Sequence, residues 1–217
     1  LAKPAGGILE AIGNPDHVSC MILEDLSLEF LESSSEIWLR VLAHLLLSRD
    51  ERRQWRELDS SPLRRRADWL LGRAAAKDAV RDLLRRRQGL VLCPADLLIT
   101  TEDSGRPSLA AGWRDEWGPI PQLSISHKDG HAIAIAAAAE HYRAAGVDIE
   151  SVSDLPRDFV ETAFTPAERD LLQAAEDADA PTELIIRLWS AKEAAGKAAG
   201  LGMPDILRRV EVTSVVT

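Results

Sequence analysis

A chain of 217 residues with 46% hydrophobic and 28% charged side chains can bury a substantial core as one large domain or two small lobes, which excludes a disulfide-held miniprotein and a disordered chain. Its longest apolar run, Ala132 to Ala139, falls far short of the ~20 residues of a membrane-spanning helix, so no membrane partner is expected. The net charge of -9 conceals one basic segment: Arg49 to Arg87 holds 13 Lys and Arg against 7 Asp and Glu, while the rest of the chain holds 13 against 28. Charge alone favours a solvated helix there. The sharper reading is an anion site, because clustered arginines offer forked donors to phosphates. Nucleic acid is not expected: only Trp55 and Trp69 interleave the arginines, and the acidic remainder repels a long polyanion. Cys20 and Cys93 lack metal-ligand spacing and no signal peptide precedes them, which points to a reducing cytoplasm without a disulfide. Leu1 in place of Met suggests an excerpt of a longer polypeptide.

Along the chain, Gly, Pro and Ala in residues 1–16 read as a poorly ordered lead-in. Val18 to Leu31 can hold a strand, and Ile37 to Leu47 is apolar without a clear type. Ser48 and Glu51 have capping-box spacing, which predicts a helix through Trp55. Ser61-Pro62 opens a second, long helix from Leu63 to about Gly89, with Ala67, Leu70, Leu71, Ala74, Val80, Leu83 and Leu84 at helical spacing. Leu97 to Thr100 reads as a strand, and Asp103 to Pro107 as a turn. Gly112 to Pro121 divides an N-terminal lobe (17–120) from a C-terminal lobe (121–217). Strands follow at Leu123–Ser126, Ala132–Ala138 and Gly146–Glu150. Thr165-Pro166-Ala167-Glu168 carries three helix-start signals. Leu184 to Ala199 is another helix, and Val210 to Val216 a last strand.

Two constellations can carry chemistry. In an extended segment Asp148 and Glu150 leave on one face, roughly 7 Å apart at the backbone, and their repulsion calls for solvent, a basic partner or a hard divalent cation. A polar strand face at a sheet edge is the commoner meaning of Asp-x-Glu. Trp189, Glu193 and Lys197 share one helical stripe. An ordinary Glu-to-Lys pair beside a packed Trp accounts for them, but not for Gly196 and Gly200, each costing about 1 kcal/mol in a helix relative to Ala unless something approaches the backbone there. Ser126 and His127 close a strand with groups that can meet a phosphate edge.

Taken in order, Ser124-Ile125-Ser126-His127, Gly146-Val147-Asp148-Ile149-Glu150 and Trp189-Ser190-Ala191-Lys192-Glu193 with Lys197 resemble the motifs of 4′-phosphopantetheinyl transferases of the surfactin-synthetase-activating type. Trp69-Leu70-Leu71-Gly72-Arg73 with Lys77 and Gly105-Arg106-Pro107 agree more weakly, and the first 47 residues match no motif. The resemblance implies an α+β protein of two pseudo-twofold lobes, each a small antiparallel sheet on a long helix, with coenzyme A as co-substrate in the cleft. It implies transfer of 4′-phosphopantetheine to a serine of an acidic acyl or peptidyl carrier protein, releasing adenosine 3′,5′-bisphosphate. By the same resemblance Asp148, Glu150 and Glu193 would hold Mg²⁺, with Glu193, Lys192 and Lys197 as catalytic groups. Arg52, Arg73, Lys77, Arg106, Ser126 and His127 would bind coenzyme A, with Arg53 a further candidate for the nucleotide pocket. The chain would be a monomer or part of a multidomain synthase; the alternative is a non-catalytic carrier-protein-binding domain of such a synthase.

Overall fold

The computed structural model describes residues 2–5, 16–23, 36–109, 113–174 and 181–214. Its strands are β1 (Lys3–Pro4), β2 (Val18–Leu23), β3 (Ile99–Thr101), β4 (Pro107–Leu109), β5 (Gln122–Lys128) and β6 (His131–Ala137). Its helices are α1 (Ile37–Leu46), α2 (Arg49–Glu57), α3 (Leu63–Gln88), α4 (Phe159–Ala163), α5 (Pro166–Ala174), α6 (Pro181–Ala199) and α7 (Met203–Arg209). The class is α+β, as expected. An antiparallel sheet of order β1-β2-β6-β5 and a β3-β4 ribbon make up the β-structure.

Strand β6 explains the layering. Its residues alternate Ala and Ile, and the small face, Ala132, Ala134 and Ala136, lies against Ala75, Ala76 and Ala79 of α3. Small residues on both surfaces let the helix sit close to the sheet. Ile99 and Leu109 of the ribbon join the same core, so α3 supports both sheets. The other face of β6, Ile133 and Ile135, packs with Val147 and Ile149. Asp129 and Gly130, both at positive φ (47° and 83°), turn β5 into β6, as a two-residue hairpin with matching twist requires. Helix α3 begins after Pro62 and ends at Gly89, whose φ of 70° makes the left-handed stop.

Several expectations are corrected. Residues 146–150 form no sheet ladder: Gly146 presses on α6, and the Val147 amide donates to Ser124 Oγ rather than to a strand. Residues 210–214 are not a strand either, and the Val212 amide donates to Glu168; residues 215–217 lie outside the described residues. Of the lead-in, Lys3–Pro4 pairs with β2, and residues 6–15 lie outside the described residues, as does the part of Val18–Leu31 beyond Leu23. Ile37–Leu46 is a helix, and α7 was not anticipated. Because β2 pairs with β6, the main sheet draws on both sides of the expected boundary at 120/121. Both cysteines are free. Among the described residues no helix is long and apolar enough to cross a membrane.

One polar arrangement occurs twice. Glu51, three residues after the cap Ser48, accepts from Ser48 N, Ile99 N and the ammonium of Lys77, which also donates to Leu46 O. Glu168, three residues after Thr165, accepts from Thr165 N, Val212 N and Lys192 Nζ, which also donates to Ala163 O. Each carbonyl lies two residues before its cap. The same clasp thus recurs in the two halves of the chain, although both sheets rest on α3 rather than one on each long helix.

Candidate active site

Helix α6 sets Glu193 and Lys197 one turn apart on one stripe. Segment 146–150 runs against it because Gly146 has no side chain: a Cβ there would lie 1.9 Å from Ala194 O and 2.8 Å from Ala198 N. With Val147 and Ile149 anchored in the core below β6, Asp148 and Glu150 meet Glu193. One carboxylate oxygen of each lies within 4.8 Å of the others.

The side chain of Asp148 is only 2% exposed. Its Oδ1 accepts from Lys197 Nζ (2.6 Å) and Ser126 Oγ (2.7 Å), and Lys197 also donates to Ser126 Oγ at 2.9 Å. Among the described residues its buried Oδ2 has no hydrogen-bond partner. Such an oxygen carries a desolvation cost that a cation would relieve. Glu150 pairs with Lys128 at 2.8 Å. Burial, and next the charge of Asp148, push the Glu193 carboxyl up to about 7. Oxygen donors, crowded negative charge and an orphaned buried oxygen fit a hard divalent ion.

The other expected site residues divide. Ser126 lies in the cluster. Arg106, at the ribbon turn, donates through Nη2 to Ala198 O (2.7 Å) and Lys197 O (3.3 Å) at the end of α6. With Lys197, Ser124 and Gly200 it lines a cavity of about 170 Å³ beside the cluster. His127, next on β5, points to the opposite face, toward Gly72 of α3. Lys192, expected as catalytic, is fully buried and bound to Glu168 and Ala163 O; it holds α6 to α5 and does not face the cluster. Lys77, expected at a nucleotide, is likewise fully buried on Glu51. Arg73 stacks on Trp69 at 3.5 Å and donates to Gln54. Arg52 donates to Leu47 O and lines a separate cavity of about 370 Å³ with Arg40, Arg49 and Arg56. Sequence reasoning missed Lys128; Asp129-Gly130, a strong hairpin signal, locates it at a strand end.

The family model described as the 4′-phosphopantetheinyl transferase superfamily matches residues 144–216. The holo-[acyl-carrier-protein] synthase of Geobacillus kaustophilus is 39% identical over 89 residues, covering 41% of this chain and 64% of that protein. The 4′-phosphopantetheinyl transferase Npt of Nocardia iowensis is 31% identical over 118 residues, covering 52% of each. The chain thus spans between about half and just under two thirds of the length of these curated relatives. A crystal structure of Helicobacter pylori holo-[acyl-carrier-protein] synthase in complex with coenzyme A shares 22% identity, with a TM-score of 0.41, over 55% of this chain and 97% of that one. Asp148, Glu150, Glu193 and Lys197 all lie within the stretch that the 4′-phosphopantetheinyl transferase superfamily model matches.

Proposed function

We propose that this chain transfers 4′-phosphopantetheine from coenzyme A to a serine hydroxyl of an acyl or peptidyl carrier protein, as a transferase of the surfactin-synthetase-activating type, and releases adenosine 3′,5′-bisphosphate. The observation that carries the reading is the convergence of Asp148, Glu150 and Glu193, with a buried Asp148 oxygen that has no hydrogen-bond partner among the described residues. These three carboxylates would hold Mg²⁺, which when bound neutralises the diphosphate and fixes the phosphoryl group for in-line attack. A non-catalytic binding domain has no use for that convergence.

The chain's own residues supply the rest. Glu193 faces the cluster from α6 and would take the proton of the attacking hydroxyl, a role typically contributing ~10²–10⁴ in rate. Lys197 brings its ammonium to the same point, where it would balance charge on the transferred group. Ser126 fixes that ammonium through its hydroxyl. Arg106, which borders the cavity beside Lys197, is the candidate on this face for the phosphates of coenzyme A; His127, on the other face of β5, would meet them only from the α3 side.

A mass-spectrometric assay of purified protein with coenzyme A, Mg²⁺ and a panel of apo carrier proteins tests this. Addition of phosphopantetheine mass that chelator stops is the expected result; no addition to any carrier overturns the reading.

A further inference from the structure

The proposed chemistry assigns nothing to Lys128, yet its ammonium lies 2.8 Å from Glu150, one of the three clustered carboxylates. Its position is fixed from both sides. Strand β5 alternates, so Ser124, Ser126 and Lys128 project to one face and reach Val147, Asp148 and Glu150 in turn. The hairpin tip beyond is tied down: Asp129 accepts from Ser151 Oγ, next to Glu150, and from Arg64 Nη2 at 3.4 Å on α3. Lys128 itself is 44% exposed, so its long side chain can swing away while its backbone stays in the ladder opposite His131.

A divalent ion that takes the Glu150 oxygen must therefore compete with this ammonium. We infer that Lys128 is a counter-cation that weakens metal capture by the protein alone and, once displaced from Glu150, faces the anionic diphosphate, so that metal and coenzyme A bind with positive cooperativity. The inference rests on the reading of the site as a Mg²⁺ and coenzyme A site. Its physical basis is charge balance. Three carboxylates already meet two ammonium groups, Lys197 on Asp148 and Lys128 on Glu150. A divalent ion added to that set turns the locus positive, which suits a diphosphate. Without Lys128 the carboxylates attract the metal more strongly and the loaded locus attracts the diphosphate less. Linkage makes the effect reciprocal: whatever coenzyme A adds to metal affinity, metal adds to coenzyme A affinity.

Isothermal titration of chelator-treated, dialysed protein with MgCl₂, with and without saturating coenzyme A, tests the inference. The wild-type chain binds Mg²⁺ more tightly with coenzyme A present. Lys128→Gln, at a half-exposed position that leaves the core untouched, binds Mg²⁺ on the order of tenfold more tightly than wild type when coenzyme A is absent, and gains less from adding it. Lys128→Arg keeps the charge and behaves as wild type. A Lys128→Gln affinity within about twofold of wild type, or a Lys128→Arg that behaves as Lys128→Gln, overturns the role of Lys128 while leaving the metal site standing. A wild-type chain that takes up no Mg²⁺ in either titration overturns the reading of the site itself.

Discussion

Lys192 and Lys197 lie on the same helix with opposite fates: one ammonium is sealed between α4, α5 and α6, the other reaches Asp148 and Ser126. Replacing each by Met separates structure from chemistry. Lys192→Met leaves Glu168 buried without its cation and should cost about 3–5 kcal/mol of stability, read as a lowered denaturation midpoint. Lys197→Met, at a part-exposed position beside a cluster that solvent reaches, should lower the midpoint less and lose phosphopantetheine transfer. Equal loss of stability in both would contradict the assignment. Asp148→Asn removes charge but little volume; the expected outcome is that transfer disappears and Mg²⁺ no longer raises the melting temperature. Lys77 belongs with Lys192: its ammonium is buried on Glu51, and Lys77→Met should destabilise the fold without a specific rise in KM for coenzyme A.

At the scale of elements, the site exists because backbone meets backbone. Gly146 lets segment 146–150 touch the carbonyl of Ala194, and Gly196 leaves a notch for Ile206, whose Cγ1 would lie 2.3 Å from an added Cβ. Ile206 is the buried residue through which α7 docks. These contacts answer why glycine interrupts the helix and why an Asp-x-Glu segment is no strand. Gly146→Ala must push Asp148 and Glu150 off α6, since the obstructing atoms are main-chain. A displacement near 1 Å at a reacting centre costs roughly 10²-fold, so Gly146→Ala should reduce transfer by about that factor and weaken Mg²⁺ binding in titration. Wild-type Mg²⁺ affinity in this variant would show that the close approach is unimportant.

Across the whole molecule, the two Glu–Lys clasps tie each long helix to a preceding capped helix and to a later backbone amide. Burial alone would raise the Glu168 carboxyl, but the Lys192 ammonium and the amides of Val212 and Thr165 outweigh it and hold it below the ordinary 4.5. A carboxyl depressed in the folded state contributes stability that is fully present above its unfolded value and lost as pH falls through the folded one. Denaturant unfolding should thus show a contribution that disappears below about pH 4.5, and Glu168→Gln should flatten that part of the profile while lowering stability at pH 7. An unchanged acid limb would exclude the clasp as a stabilising device.

The local code was readable where it is self-sufficient. Ser48 with Glu51, Thr165 with Glu168, Pro62 and Gly89 mark helix ends by satisfying or ending a backbone ladder within a few residues. Alternation in β5 and β6 marks strands, whereas spacing left Asp148, Glu150, Glu193 and Lys197 open to ordinary readings and only the resemblance of their motifs joined them in one set. What spacing could not convey is which cations face it. Lys192, Lys77 and Lys197 look alike in sequence, and only packing decides that two are interior and one reaches the carboxylates, because burial of a charge depends on partners supplied by distant segments. Lys128 likewise acquires its meaning from a hairpin that brings it to Glu150, and Gly146 from a helix nearly fifty residues later in the chain. Sequence by itself determined the capped helices, the β5–β6 hairpin and the chemistry available; the tertiary structure decided that 146–150 is no strand and which charges meet, since Coulomb and desolvation energies depend on distances and burial that no local pattern encodes.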